Sequence, residues 1–151
     1  MRLYLVRHGE AASGGGLATD RPLSKEGIGE VKRVADFIKI KTSSIWVSNR
    51  LRAKQTAQIF REYRLSNNLI ERDDLAPNDP VDAICSDIID YNGDLMIVGH
   101  LPFLSNLASS LLSASGDSIG IDFHAASILS LEREDEAWSL SWFLNPDLIV
   151  D

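Results

Sequence analysis

The strongest constraint on this chain is a pair of short runs without a polar break, Leu3-Tyr4-Leu5-Val6 and Leu95-Met96-Ile97-Val98. Four residues are too few for a helix, and an unbroken apolar run has no face to offer water. Each therefore reads as a strand buried on both sides, as in the middle of a sheet covered by helices. Ile45 to Ser48 is a third short strand, and Leu69 to Glu71 a candidate fourth. Helical periodicities fill the spaces between them. Ser24 is a plausible N-cap for a helix from Lys25 to about Ile40, marked by Ile28, Val31, Val34, Ala35 and Ile38. A second helix runs from Leu51 to about Arg64, with Ala53, Ala57, Phe60 and Tyr63 or Arg64 as its inward stripe. Val81, Ile84, Cys85, Ile88 and Ile89 mark a third helix, and Phe103, Leu104, Leu107, Ala108, Leu111 and Leu112 a fourth. Ser127 to Leu131 and Trp138 to Phe143 predict a closing hairpin that turns through Arg133 to Glu136.

The order β-α-β-α-α-β-α-β-β demands crossover connections. It predicts an α/β fold, a three-layer α/β/α arrangement around a mostly parallel mixed sheet with an antiparallel addition near the C-terminus. No repeat or linker divides the 151 residues, so one domain over 1–151 is expected. In such sheets ligands bind beyond the carboxyl ends of the strands. His8, Arg52 and His100 each follow a predicted strand closely, so residues far apart in sequence converge on one rim.

Charge narrows the partners. The chain carries 15 basic and 22 acidic residues, a net of −7, which argues against nucleic acid or an anionic membrane as partner. The total conceals a division. Residues 1–64 hold 13 basic and 6 acidic residues, a net of +7, and the remainder carries −14. Such a split can gather positive charge around an anionic ligand on an acidic body. The lone Cys85 excludes an internal disulfide and a cysteine-based zinc site. No apolar stretch approaches 18 residues, so no membrane span is expected. Leu3 to Val6 meets Arg7 and His8 too soon for a signal-peptide core, which makes the cytoplasm the default address.

Arg7 and Arg52 offer planar forks suited to the oxygens of a phosphoryl group. A histidine beside them can attack phosphorus to form a phosphohistidine that water then hydrolyses. A second histidine facing it can donate to the equatorial oxygens in the transition state. Gly9 allows close backbone approach at the turn, and the helix beginning near Leu51 can add its N-terminal dipole.

Three blocks carry a family likeness: Arg7-His8-Gly9-Glu10 after the first strand, Ser48-Asn49-Arg50-Leu51-Arg52-Ala53-Lys54-Gln55-Thr56-Ala57, and Val98-Gly99-His100-Leu101-Pro102. Together they resemble the histidine phosphatase superfamily, the phosphoglycerate mutase-like fold. Arg21-Pro22-Leu23-Ser24-x-x-Gly27, the closing Trp142-Phe143-Leu144-Asn145-Pro146 and the short length resemble its SixA-type branch of phosphohistidine phosphatases. The resemblance implies that His8 is the phosphoryl-accepting nucleophile. It further implies that Arg7, Gly9, Arg52 and His100 bind the phosphoryl group, and that no metal or cofactor is needed. The alignment through Ala53 and Gln55-Thr56-Ala57 selects Arg52 over Arg50, and Asn49 replaces the family's usual proline. Larger members carry an acidic proton donor in a Leu-x-Glu context, where Leu75-Ala76-Pro77 here places Pro77. Asp74 and Asp79 are the alternative donors, with plain turn roles as the competing reading.

The implied activity is removal of phosphate from phosphohistidine on a protein, such as a histidine-containing phosphotransfer or phosphocarrier protein in signalling or transport. The default oligomeric state is a monomer. The alternatives are a phosphatase of small phosphate esters and, from a different class, a non-catalytic phosphoprotein-binding module. Other residues have plainer readings. His124 suits a structural or rim role, Glu10 a rim or solvated one, and Gln55 and Thr56 polar anchoring. Gly14 to Gly16 lacks the pattern of a phosphate-cradling loop and reads as a flexible rim segment.

Overall fold

The computed structural model describes residues 1–14 and 17–150. Its strands are β1 (Arg2–Arg7), β2 (Ser44–Ser48), β3 (Leu69–Arg72), β4 (Leu95–Gly99), β5 (Ile128–Glu134) and β6 (Ala137–Leu144). Its helices are α1 (Lys25–Ile38), α2 (Leu51–Glu62), α3 (Asp82–Asp90) and α4 (Phe103–Leu112). Short 3₁₀ turns occupy Ala18–Asp20 and Pro146–Leu148. The Leu69 segment is a full strand, so β3 separates two helices that the sequence reading had placed in succession.

All six strands form one sheet in the order β3-β2-β4-β1-β5-β6. The pairings β1–β4, β2–β4 and β2–β3 are parallel, and β5 and β6 extend the sheet antiparallel. The unbroken apolar runs occupy its centre because successive side chains point to opposite faces. Tyr4, Val6, Met96 and Val98 join α1 and α2 residues in one core, including Val31, Val34, Ala57 and Phe60. Leu3, Leu5, Leu95 and Ile97 join Ile84, Ile88, Phe103 and Leu107 of α3 and α4 in the other. Two cores on two faces of one sheet make the three layers.

The helix ends differ from their predicted positions for local reasons. Ser24 caps α1, accepting from the Gly27 amide at 2.9 Å. The helix stops at Ile38 rather than Ile40 because Lys39 adopts a left-handed conformation, φ 41°. Likewise α2 stops at Glu62. Arg64 turns left-handed, φ 65°, and the Leu65 amide reaches back to the Phe60 carbonyl at 3.1 Å. Tyr63 and Arg64 are therefore exposed and outside the inward stripe, which Ile59 and Leu65 complete. In α3, Ile84 and Ile88 are buried while Ile89 is 63% exposed.

The final hairpin is tighter than the predicted Arg133–Glu136 turn. The strands continue to Glu134 and from Ala137, leaving only Asp135 and Glu136 between them. Both adopt positive φ, 48° and 69°. This mirror-image turn suits strand twist but favours Asn-Gly, and a glutamate in it is strained. Replacing the pair by Asp135→Asn and Glu136→Gly should raise stability by about 1 kcal/mol, read as a Tm increase of roughly 2–4 °C in a calorimetric scan. An unchanged or lowered Tm would contradict the strain assigned to this turn.

Candidate active site

The parallel register of β1 and β4 pairs Arg7 with Gly99. The next residue on each strand is a histidine, so His8 and His100 leave the sheet side by side. The His8 amide continues the ladder, donating to the Gly99 carbonyl at 3.0 Å. The two imidazole centroids lie 5.1 Å apart with the planes tilted by 55°. On the other side of β4, β2 delivers the chain into the first turn of α2 and brings Arg52 across. Its Nε donates to His8 Nε2 at 3.3 Å, and its Nη1 donates to the Ala18 carbonyl at 2.7 Å.

These contacts fix the state of His8. Nδ1 lies 2.7 Å from the Gly9 carbonyl, an acceptor, so Nδ1 carries the proton. Nε2 receives the Arg52 N–H and therefore bears the lone pair. Burial holds the ring pKa down, from 6.5 to about 4, outweighing the Gly9 hydrogen bond, and Arg52, Arg7 and Arg21 add to the depression. His8 is thus a neutral imidazole with its free electron pair among guanidinium groups. His100 is also neutral, lowered to about 3 by burial and then by His8, Arg52 and Arg50.

Arg7 is anchored by Nη1 donating to the Phe123 carbonyl at 2.7 Å, while its buried Nε has no partner among the described residues. The same holds for Arg21 Nε and for His100 Nδ1. Two buried guanidinium nitrogens and one ring nitrogen are thus left without partners among the described residues. An anion rich in oxygens satisfies such a set. Gly9 must be glycine here, since a Cβ would stand 2.6 Å from Val31 Cγ2. Its amide donates to Thr56 Oγ1 at 3.0 Å, and Thr56 donates in turn to the Arg52 carbonyl at 2.9 Å. One buried hydroxyl therefore joins the His8 turn to the Arg52 helix.

Residues 3–76 match the model of the histidine phosphatase superfamily, branch 1. This match over 74 of the 151 residues supports a place in the histidine phosphatase superfamily. Its fold is similar to that of the protein histidine phosphatase SixA solved with tungstate, at 22% identity, with 97% of this chain and 98% of that one covered and a TM-score of 0.87. A protein from Agrobacterium tumefaciens assigned as a SixA phosphohistidine phosphatase is 25% identical, with 96% and 97% covered and a TM-score of 0.81. An Entamoeba histolytica phosphoserine phosphatase variant bound to phosphoserine is 17% identical, with 98% and 99% covered and a TM-score of 0.74. No curated protein sequence matches the chain. Family and fold support a phosphatase activity.

The remaining candidates sort themselves by their contacts. Asp74 is not poised as a proton donor. Arg72 grips both its oxygens at 2.9 and 2.8 Å, and that hydrogen bonding holds the carboxyl below the usual range. Arg72 also bonds Asp87 and lies 4.6 Å over the Trp46 ring, so the cluster is self-contained. Asp79 accepts from the Ala76 amide at 2.9 Å, a turn role. His124 lies between Asp122, at 3.0 Å, and Asp147, at 3.5 Å. Glu10 accepts from the Ser24 hydroxyl at 3.0 Å, and Gln55 accepts from the Leu23 amide at 2.7 Å. Gly14 has φ 90°, and Gly15 and Gly16 lie outside the described residues. A cleft lined by Asn49, Glu71, Arg72, Asp73 and Asp74 opens past β2 and β3 and contains neither His8 nor His100. Among the described residues, no group of three or more His, Cys, Asp or Glu side chains could hold a metal ion.

Sequence reasoning missed Arg21 and Arg50 as charges bearing on the two histidines, and Ser48 as the partner of His100. The Ser48 hydroxyl lies 2.7 Å from His100 Nε2. Family-like spacing named the blocks these residues belong to, but nothing local signalled contacts that span the sheet.

Two outcomes follow. Thr56→Val strands the Gly9 amide in a buried position, which should cost roughly 1–3 kcal/mol of stability in urea unfolding and lower phosphatase activity with it. The histidines also make stability depend on pH. Their folded pKa values, about 4 and about 3, lie below the ordinary 6.5, so the unfolded chain takes up protons first. Their contribution is therefore complete above about pH 6.5 and is lost as pH falls toward 4. Urea melts at pH 7 and at pH 4.5 should diverge more for the wild type than for a His8→Gln, His100→Gln double variant. Equal divergence would show that the loss arises elsewhere.

Proposed function

We propose that the chain is a metal-independent phosphatase that works through a phosphohistidine intermediate at His8 and acts on phosphohistidine carried by a protein. The observation that carries this reading is the neutral His8 ring with its Nε2 lone pair held against Arg52. The incoming phosphoryl group takes the Arg52 Nε–H in place of Nε2, which frees the lone pair for attack. A new bond forms from Nε2 to phosphorus while the substrate's phosphorus–nitrogen bond breaks, and the departing imidazole nitrogen takes a proton from solvent, which the later hydrolysis by water returns. Water then attacks the phosphorylated His8. The His8–phosphorus bond breaks, inorganic phosphate leaves, and the ring returns neutral. Arg7, Arg52 and the unpartnered donors offset the charge at phosphorus, the part a metal plays elsewhere.

A protein-borne phosphohistidine is favoured by the chain's similarity to SixA structures, by Pro77 in place of the family's acidic donor, and by the engagement of Asp74 and Asp79 elsewhere. A phosphoramidate leaves once its nitrogen is protonated, and so asks less of a tuned carboxylic acid than an alkyl phosphate does. The second reading, a phosphatase of small esters, draws on the likeness to the phosphoserine phosphatase. Rates on a phosphohistidine phosphotransfer protein and on p-nitrophenyl phosphate separate the two. The protein substrate should turn over faster, with acid-labile label on wild type and none on His8→Ala, and with activity retained in EDTA. Faster ester turnover would favour the second reading. Saturable phosphate binding without hydrolysis of either donor would identify a binding module.

A further inference from the structure

The state of His100 can be settled by counting donors and acceptors. The ring is buried, and among the described residues only Nε2 has a partner, the Ser48 hydroxyl at 2.7 Å. Ser48 is itself 1% exposed, and its oxygen also receives the Arg50 amide at 3.3 Å. Two neutral tautomers compete. If Nε2 carried the proton, it would donate to Ser48. The buried Ser48 hydrogen would then have no acceptor among its contacts, and Nδ1 would be a buried lone pair. If Nδ1 carries the proton, Ser48 donates to Nε2 and accepts from Arg50, and both its valences are used. One atom, the Nδ1–H, then remains unpaired instead of two. Each buried polar group left unpaired costs free energy, so the second arrangement prevails.

We infer that Ser48 is a positioning residue that holds His100 in the Nδ1–H form, so that His100 meets the transferred phosphoryl group as a neutral hydrogen-bond donor. This rests on the phosphatase reading above and deepens it. An Nε2–H tautomer would turn a lone pair toward an oxygen that is already negative. The Arg50 amide that steadies Ser48 opens α2, whose first turn carries Arg52, so the same turn orients the donor and supplies the cation. His100 need never become an imidazolium to do this, in keeping with its burial among cations.

Nitrogen NMR of the imidazoles in the unliganded wild type tests the assignment directly, without reference to activity. Nδ1 of His100 should appear as the protonated nitrogen and Nε2 as the bare one. The reverse pattern overturns the inference whatever the enzyme does. In Ser48→Ala the Nδ1–H signature should give way to mixed tautomers. On the phosphohistidine protein kcat should fall by roughly 10²-fold, near the low end for losing one oxyanion donor, with KM changed far less. Ser48→Thr, which keeps the hydroxyl, should restore both the tautomer and most of kcat. A folded Ser48→Ala with wild-type kcat, or a Ser48→Thr that restores stability but not kcat, would overturn it. Wild-type protein with the expected tautomer but no hydrolysis would instead count against the phosphatase reading alone.

Discussion

The pairing of β1 with β4 is the constraint on which the rest depends. These two central strands are not sequence neighbours, yet their parallel register sets Arg7 opposite Gly99. Side-chain period then leaves no choice about where His8 and His100 emerge. A slip of one residue would turn Val6 and Val98 out of one core and Leu5 and Ile97 out of the other. The apolar patterning that makes the sheet stable therefore also fixes the distance between the two histidines. Gly9 extends the same logic beyond the strand, since α1 and the Leu23 segment pack where its side chain would be.

Burial at that junction decides the electrostatics. Two imidazoles among arginines could share little positive charge, and desolvation ensures that they carry none. The result is an unprotonated ring at His8, the proposed nucleophile, with its lone pair available, and a neighbour that can donate without first being charged. The chain's net charge of −7 has little bearing here. What matters locally is that Arg7 and Arg52, with Arg21 and Arg50 behind them, all come from the basic first part of the chain. The acidic remainder contributes His100 and a carbonyl, Phe123, that anchors Arg7.

The layers and the sheet's centre were legible because a four-residue apolar run has one stable destination. The rim was legible because strand ends are readable and because Arg7-His8, Arg52 and Gly99-His100 follow them. Helix ends were less so. Lys39 and Arg64 turn left-handed without the glycine that normally announces such a stop, and Asp135-Glu136 makes a glycine-type turn without one. The contacts that finish the site could not be read at all. Ser48 meets His100 and Thr56 meets Gly9 across stretches of 52 and 47 residues. Residue type suggests such partners but not which of several will meet.

What the site lacks shapes its chemistry as much as what it holds. Asp74 is clamped by Arg72, Asp79 by a backbone amide, and Glu10 by Ser24. By the resemblance drawn from the sequence, Pro77 takes the position of the acid in larger relatives. Among the described residues, N–H groups free to meet phosphoryl oxygens are several, while the carboxylates named here are already engaged. Such a site stabilises charge on phosphorus well and assists a poor leaving group badly. The imbalance favours substrates whose leaving atom accepts a proton readily, and a ring nitrogen does so far more readily than an alkoxide-forming oxygen. On this argument, the proposed preference for phosphoramidates over esters follows from how the nearby carboxylates are engaged.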